Sequence, residues 1–532
     1  MRKSGYLLFS LFSFISIPGM ADTPFFKTDT IECQSGEKWW GGMVALGNQM
    51  PFEVSDKFID LSKRNYNNQS SSLLLSSEGR YIFSEEPFSF RRTDDGVLIR
   101  SGNKGFQVVK AGKTLKDAHL GAMQRLFSPD GTIPDSLFFV QPQYNTWIEL
   151  LYDQNQRDVL KYAEQIKLNR FPVGIFMIDD NWQRYYGNFE FKAERFPDPK
   201  GMIDQLHRDG FKVMLWVCPF VSPDSPEYRE LKRKGYLIRR KGSKEPALIG
   251  WWNGYSACYD LTNPEASAYL INQLKDVQIK YGVDGFKFDA GDPELHIGEF
   301  DYYDPKATNV DFCQKWSEIG LSFPYNEFRA SWNFGNKPLV QRLGDKDYSW
   351  NALSLLVSDM ISAGLLGYSY TCPDMIGGGQ FGSFMNVDRS KLDQKLIVRS
   401  CQIHAMMPMM QYSVAPWNIL DENHLQLCRE ANDLHHQLSP YIVEMAKRCS
   451  QTGEPIVRSM EYMFPNEGFE ECKDQYMLGD QYMVAPVLSR DDNRSVRFPK
   501  GKWVDAKGKI YKGGKSYSFY VPLNEILYFK KI

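Results

Sequence analysis

The sequence predicts an α/β protein, a (β/α)8 TIM barrel flanked by an N-terminal β-sandwich and a small C-terminal β-sandwich. Three observations carry this. From about residue 135, short apolar runs alternate with amphipathic stretches: "VGIFMIDDNW", "DPKGMIDQLHRDG", "FKVMLWVCPF", "VDGFKFDAGD". Strand–helix repetition of this kind argues for a parallel sheet. The repetition lasts roughly 300 residues, for which a closed eight-fold barrel is the economical architecture. On both sides the texture changes to period two, broken by turn dipeptides, as antiparallel sheets require.

The chain begins "MRKSGYLLFSLFSFISIPGMADTPFF". Arg2 and Lys3, a short apolar core from Tyr6 to Ile17 and the small-x-small step Gly19-Met20-Ala21 have the pattern of a cleaved signal peptide, residues 1–21. The expectation is an exported protein, periplasmic or secreted, with no membrane span. Residues 22–134 follow as the N-terminal sandwich, on segments such as "GRYIFSEEPFSFRRTDDGVLIRSGNKGFQVVKAG" with Asp-Gly, Gly-Asn and Ala-Gly punctuation. Trp39-Trp40 reads as packing there. Residues 135–452 form the barrel, which "QLSPYIVEMAKRCSQTG" closes as a helix. Residues 453–532 return to β texture in "DQYMLGDQYMVAPVL" and "RSVRFPKGKWVDAKGKIYKGGKSYSFYVPL".

Composition narrows the function. Of 532 residues, 42% are hydrophobic and 14% aromatic, which excludes global disorder. A net charge of −2 gives no broad basic surface for nucleic acid or anionic lipid. The nine cysteines are odd in number and show neither a disulfide framework nor metal-ligand spacing. Cys218 sits in an apolar run as a buried thiol, and Cys449 with Cys472 is a candidate pair. The sequence holds no HExxH, Gly-x-Ser-x-Gly, Walker or dinucleotide motif. His435 and His436 are neighbours on a helical pattern and share no face. No metal and no cofactor is expected.

Acids mark the barrel strand ends: Asp179-Asp180 after "GIFMI", Asp289 after "GFKF", Asp345 and Asp347 after "LVQRLG" with Arg342, and Asp374 after "LLGYSYTCP". One such acid is commonly an Asx-turn or a helix cap. Four ends on one face line the mouth where barrels do chemistry. A site of carboxylates, lysine, arginine and tryptophan suits glycoside hydrolysis, in which one carboxylate attacks and another protonates the leaving oxygen. Lys287 and Asp289 alternate with Phe286 and Phe288, so they share a strand face toward the mouth. Asp284, at the strand start, and Asp292, as a helix cap, read as structural.

These residues resemble glycoside hydrolase family 31 through most of the chain. "DGFKFDAGD" matches the nucleophile motif and implies that role for Asp289. "QRLGDKDYSW" matches the general acid/base segment and implies Asp345. Arg329 stands where the family has an arginine before that acid. Asp179 matches a sugar-binding aspartate, and "WWNGYSACYDLTNPEA" matches the segment whose tryptophan, here Trp252, walls the subsite; core packing is the alternative for Trp252. The chain departs from the family's α-glucosidases in three places. "MMPMMQYSVAPW" replaces an Arg-Asn-His near the barrel end, putting Ser413 in place of the histidine. Lys287 and Ala290-Gly291-Asp292 flank the nucleophile. Asp180 occupies an aliphatic position. With "PDMIGGG", which carries Asp374, this combination is similar to the family's α-galactosidase-type branch. The resemblance implies an exo-acting retaining α-galactosidase acting on an oligosaccharide or glycoside, with Asp179, Asp180, Trp252, Lys287, Arg329 and Asp374 binding sugar. The alternatives are an α-glucosidase or α-xylosidase on the same scaffold, and an inactive carbohydrate-binding protein, against which the presence of both Asp289 and Asp345 argues.

Overall fold

The computed structural model describes residues 27–532. The expected leader, residues 1–21, lies outside them. Two antiparallel sheets open the described chain. One runs Lys27–Glu32, Gly96–Ser101, Ser89–Arg92, Ile59–Asp60, the other Trp39–Met43, Gln69–Ser76, Arg80–Phe83, Gln107–Lys110. Trp39 and Trp40 are buried in the core of this unit. The strand texture does not run on to residue 134. Leu115–Leu126 is an α-helix, because Thr114 and Asp117 form a capping box and Leu115, Ala118, Ala122 and Met123 recur at helical spacing on its buried face.

Eight parallel strands then build the barrel: β1 (Gln143–Asn145), β2 (Ile175–Ile178), β3 (Lys212–Val217), β4 (Gly285–Phe288), β5 (Tyr325–Phe328), β6 (Gln341–Arg342), β7 (Thr371–Cys372) and β8 (Gln411–Tyr412). They are hydrogen-bonded in the order β7-β6-β5-β4-β3-β2-β1-β8. The last seam is closed by a bridge between Ile376 and Tyr412, with the Ile376 N–H donating to the Gln411 carbonyl at 2.7 Å. Helices separate the strands except between β5 and β6. There the chain leaves as Ser331–Trp332 and pairs in parallel with Gln69 and Ser70 of the N-terminal sheet, joining the two units through backbone hydrogen bonds.

The strands are short, and the pleat sorts their side chains. Outward on β4, Phe286 packs edge-on against Phe323, and Phe288 stacks on Phe328 of β5 with centroids 4.6 Å apart. Inward, Lys287 is paired in register with Glu327 and Trp216, so the barrel interior carries charge at that level. The 31-residue helix Glu422–Thr452 covers the β8 side and stops at Gly453, whose φ of 78° takes the left-handed conformation that ends helices. Beyond it a six-stranded antiparallel sheet (Val457–Ser459, Tyr476–Leu478, Tyr482–Val484, Tyr528–Lys531, Lys502–Asp505, Ile510–Lys512) faces the pair Asn493–Phe498 and Lys515–Tyr520 over Trp503, Phe498 and Phe529. All nine cysteines are free, so Cys449 and Cys472 do not pair. No helix among the described residues is long and apolar enough to cross a membrane.

The pairing of β4 with β5 depends on Gly285. A Cβ there would stand 1.8 Å from the Tyr325 carbonyl oxygen, a backbone atom of the adjoining strand. Gly285→Ala is expected to destabilise the protein by at least about 2 kcal/mol, read as a lowered urea midpoint at unchanged m-value.

Candidate active site

β4 delivers Asp289. The strand's last ladder bond, from the Asp289 N–H to the Val217 carbonyl (2.9 Å), places it at the mouth, and Ala290 (φ 58°) turns the chain away. One carboxylate oxygen accepts from the Trp216 indole at 2.8 Å. The other accepts from the Ala290 N–H at 3.0 Å and lies 3.1 Å from Arg329 Nε. Burial pushes the Asp289 carboxyl up. The Arg329 and Lys287 charges and the indole bond outweigh it, and hold the group below the usual carboxylate range.

Arg329, just past the end of β5, forks between two carboxylates: Asp289 and the fully buried Asp292, whose Oδ2 lies 2.8 Å from Nη2. Asp292 was expected to cap a helix. It precedes the 3-10 turn Pro293–His296 but makes no side-chain cap bond; its oxygens are taken by Arg329. Burial pushes the Asp292 carboxyl up to about 6, against the Arg329 charge.

Lys287 points inward and its Nζ lies 2.6 Å from Asp179 Oδ2, with both side chains buried. Burial alone would push this lysine down, but Asp179 outweighs it and Lys287 stays charged. β2 ends at Ile178 and Asn181 turns at φ 77°, so adjacent Asp179 and Asp180 both reach the cleft instead of facing opposite ways. Asp180 accepts from Asn253 Nδ2 at 2.7 Å and from the Tyr186 hydroxyl at 3.2 Å. It has no cation among these partners. Burial and the neighbouring Asp179 push its carboxyl up to about 7.

Asp345 follows β6, its Oδ1 2.7 Å from Arg342 Nη1 and its side chain partly open to the cleft. Arg342 is buried and also touches Glu327 (3.3 Å) and Asp374 (3.1 Å). Asp374 was expected to bind sugar. It sits one layer deeper, outside the cleft lining, accepting from the Lys346 and Gly379 backbone N–H groups. Its left-handed φ of 57° turns it inward, and burial pushes its carboxyl up to about 7.

The cleft encloses about 540 Å³ and gathers Asp179, Asp180, Trp252, Lys287, Asp289, Arg329 and Asp345. Trp252 is 42% exposed, with the Arg329 guanidinium 4.6 Å from its ring centroid, so it is a wall of the cleft and not core packing. Ser413 is absent from the lining; buried, its hydroxyl accepts the Ile148 N–H at 2.8 Å and so holds the β1 loop. Sequence reasoning missed Trp216, Tyr152, Phe381 and Asn67. Trp216 was within reach, since it alternates with Leu215 and Val217 on β3 exactly as Lys287 does on β4. Asn67 comes from the N-terminal unit, and no local pattern marks it. Among the described residues, no three His, Cys, Asp or Glu side chains form a metal-holding group.

Comparison with known proteins places this geometry. Residues 142–319 match the family described as "Glycosyl hydrolases family 31 TIM-barrel domain", and residues 453–531 match "Glycosyl hydrolase family 31 C-terminal domain". The mouse (Mus musculus) "Myogenesis-regulating glycosidase" is 31% identical over 79% of this chain and 60% of its own length. "Alpha-xylosidase XylQ" of Lactiplantibacillus pentosus is 26% identical over 70% of this chain and 50% of its own. The chain thus spans about half to three-fifths of these relatives. A solved family 31 α-xylosidase from a soil metagenome, complexed with xylose, shares the fold at TM-score 0.81 and 21% identity, covering 95% of this chain and 79% of that one.

The raised carboxyl of Asp180 has a consequence for stability. Folded Asp180 holds its proton to about pH 7, whereas the unfolded carboxyl releases it near its ordinary value. The folded state therefore binds the extra proton, and stability from this residue falls as pH rises from about 4 through about 7. Asp180→Asn removes that loss. Its Tm relative to the parent is expected to rise with pH across this window, with a larger gain at pH 8 than at pH 5 by calorimetry.

Proposed function

On a chain that carries the TIM-barrel and C-terminal domains of glycoside hydrolase family 31, we propose an exo-acting retaining α-glycosidase with Asp289 as nucleophile, Asp345 as general acid/base and galactose preferred at the cleaved end. The observation that carries this reading is the contrast between the two acids in one cleft. Asp289 is locked by Trp216 and Arg329 and held ionised, whereas Asp345 lines the same cleft partly exposed, with Arg342 on its carboxylate.

The chemistry follows. Asp289 attacks the anomeric carbon as the bond to the leaving oxygen breaks, and that oxygen takes the Asp345 proton. A covalent glycosyl-enzyme results. Water, giving a proton to Asp345, then attacks the same carbon and frees Asp289, so two inversions retain configuration. Proton donation of this type contributes about 10²–10⁴-fold to rate. The buried Lys287–Asp179 pair and the Asp180 carboxyl supply the polar end of the sugar pocket, and Trp252 with Arg329 walls its rim.

Galactose and glucose differ only at C4. A pocket that hydrogen-bonds one epimer leaves a buried group unpaired with the other, which costs ~1–3 kcal/mol, a preference of roughly 5- to 150-fold. Asp180, beside Asp179, is the group that supports galactose. The α-xylosidase relatives support the second reading, an α-xylosidase or α-glucosidase.

A panel of p-nitrophenyl α-galactoside, α-glucoside and α-xyloside tests both. The galactoside kcat/KM is expected to exceed the others by at least about tenfold. A better glucoside or xyloside overturns the galactose preference alone, and no release from any overturns the enzyme. Within the site, Asp289→Ala is expected to abolish turnover, with azide rescuing it as the β-glycosyl azide. Asp345→Ala should keep most activity on substrates with very acidic leaving groups and lose about 10²-fold or more on poor ones. Equal loss on both classes would remove Asp345 from its role.

A further inference from the structure

The N-terminal unit does more than sit beside the barrel. Its loop Asn65–Gln69 reaches the mouth and is fixed there from both sides. Glu294, three residues past the Asp289–Gly291 turn, accepts the N–H groups of Asn65 and Asn67 at 3.1 and 3.2 Å, and Tyr66 and Asn67 adopt left-handed backbone (φ 54° and 58°). Asn68 is buried, and both ends of its amide are used. Its Nδ2 donates to the Tyr66 carbonyl at 2.7 Å and its Oδ1 accepts the Gly344 N–H at 2.9 Å. Buried Gln69 Nε2 donates to the carbonyls of Arg329 (2.9 Å) and Arg342 (3.1 Å), so it spans the ends of β5 and β6.

Gly344 immediately precedes Asp345. A Cβ on it would meet the Asn67 carbonyl at 2.7 Å and Asn68 Nδ2 at 3.0 Å, so this backbone lies directly against the N-terminal loop. Asp345 thus has two restraints: Arg342 on its carboxylate, and Asn68 on the Leu343–Gly344 peptide one step before it. We infer that Asn68 is a positioning residue for the general acid/base, acting across the domain boundary through the Gly344 N–H. This rests on the assignment of Asp345 proposed above. Loss of the acceptor frees the Leu343–Gly344 peptide to rotate, which shifts the Gly344–Asp345 step that follows it, and proton delivery is the step most sensitive to a misplacement of this kind.

The test uses whichever aryl α-glycoside the full-length protein cleaves, as its 2,4-dinitrophenyl and 4-methoxyphenyl forms, the first needing little protonation and the second much. Asn68→Ala is expected to lower kcat/KM on the methoxyphenyl glycoside about tenfold or more while changing the dinitrophenyl value less than about threefold. The basic limb of its pH profile should shift as well, which a general loss of folded protein would not produce. Gly344→Ala disturbs the same peptide from the other side and should show the same selectivity; if Asn68→Ala does not fold, Gly344→Ala decides. Equal loss on both substrates, or no loss on either, overturns the inference. Asp345→Ala is the reference. If it lacks leaving-group selectivity, the acid/base assignment fails; if it shows selectivity and the two variants do not, only the role of Asn68 fails.

Discussion

Three cations hold the mouth of the barrel together: Lys287 and Arg342, both buried, and Arg329, partly open to the cleft. Around them stand seven carboxyls, Asp179, Asp180, Asp289, Asp292, Glu327, Asp345 and Asp374. Charge buried without a partner costs several kcal/mol, so this imbalance cannot be carried as seven full negative charges. Part of it is carried as protons. Burial pushes four of these carboxyls up: Asp180 and Asp374 to about 7, Asp292 to about 6, and Glu327 above its ordinary value. Asp289, with a guanidinium, an ammonium and an indole turned toward it, is pushed down. The network thus holds Asp289 ionised while four of its neighbours are pushed up, and neighbouring groups titrate as a set.

That sorting depends on placement. Trp216, Lys287 and Glu327 lie side by side on β3, β4 and β5, and register alone sets them facing inward. Outside, the stacked rings of Phe288 and Phe328 bind β4 to β5 and fix the spacing between Asp289 and Arg329. The cation most exposed to the cleft, Arg329, is also the one shared by two carboxylates and a tryptophan face. Held by these three partners, it presents its charge to the cleft in a fixed direction, the arrangement in which such charges act most strongly.

The legible part of this design was local. Alternation in "GFKFDAGD" told that Lys287 and Asp289 share a face, and a polar residue after each apolar run told where the strands end. The barrel and both flanking β units were legible from texture for the same reason. The helix Leu115–Leu126 was lost in the strand texture around it, although its capping box could have marked it. Asp292 was misread because an acid before a proline is an ordinary cap signal, and only the position of Arg329, 37 residues on, makes it an ion-pair partner. Asp374 lies past a strand end as expected, yet a left-handed turn aims it at peptide groups and away from the cleft.

Least legible was the contribution of the N-terminal unit, since its contacts join residues more than 200 positions apart. Their origin is topological. With no helix between β5 and β6, the chain passes outward as Ser331–Trp332 and pairs with Gln69 and Ser70, leaving the backbone at β5 and β6 uncovered on that side. Buried carbonyls and N–H groups must be satisfied, and Asn68 and Gln69 satisfy three of them: the Gly344 N–H and the carbonyls of Arg329 and Arg342. These three peptide groups belong to the segments that carry Arg329, Arg342 and Asp345. A requirement of backbone hydrogen bonding, created by an omitted helix, therefore lets a neighbouring sandwich hold the barrel segments that carry Arg329, Arg342 and Asp345.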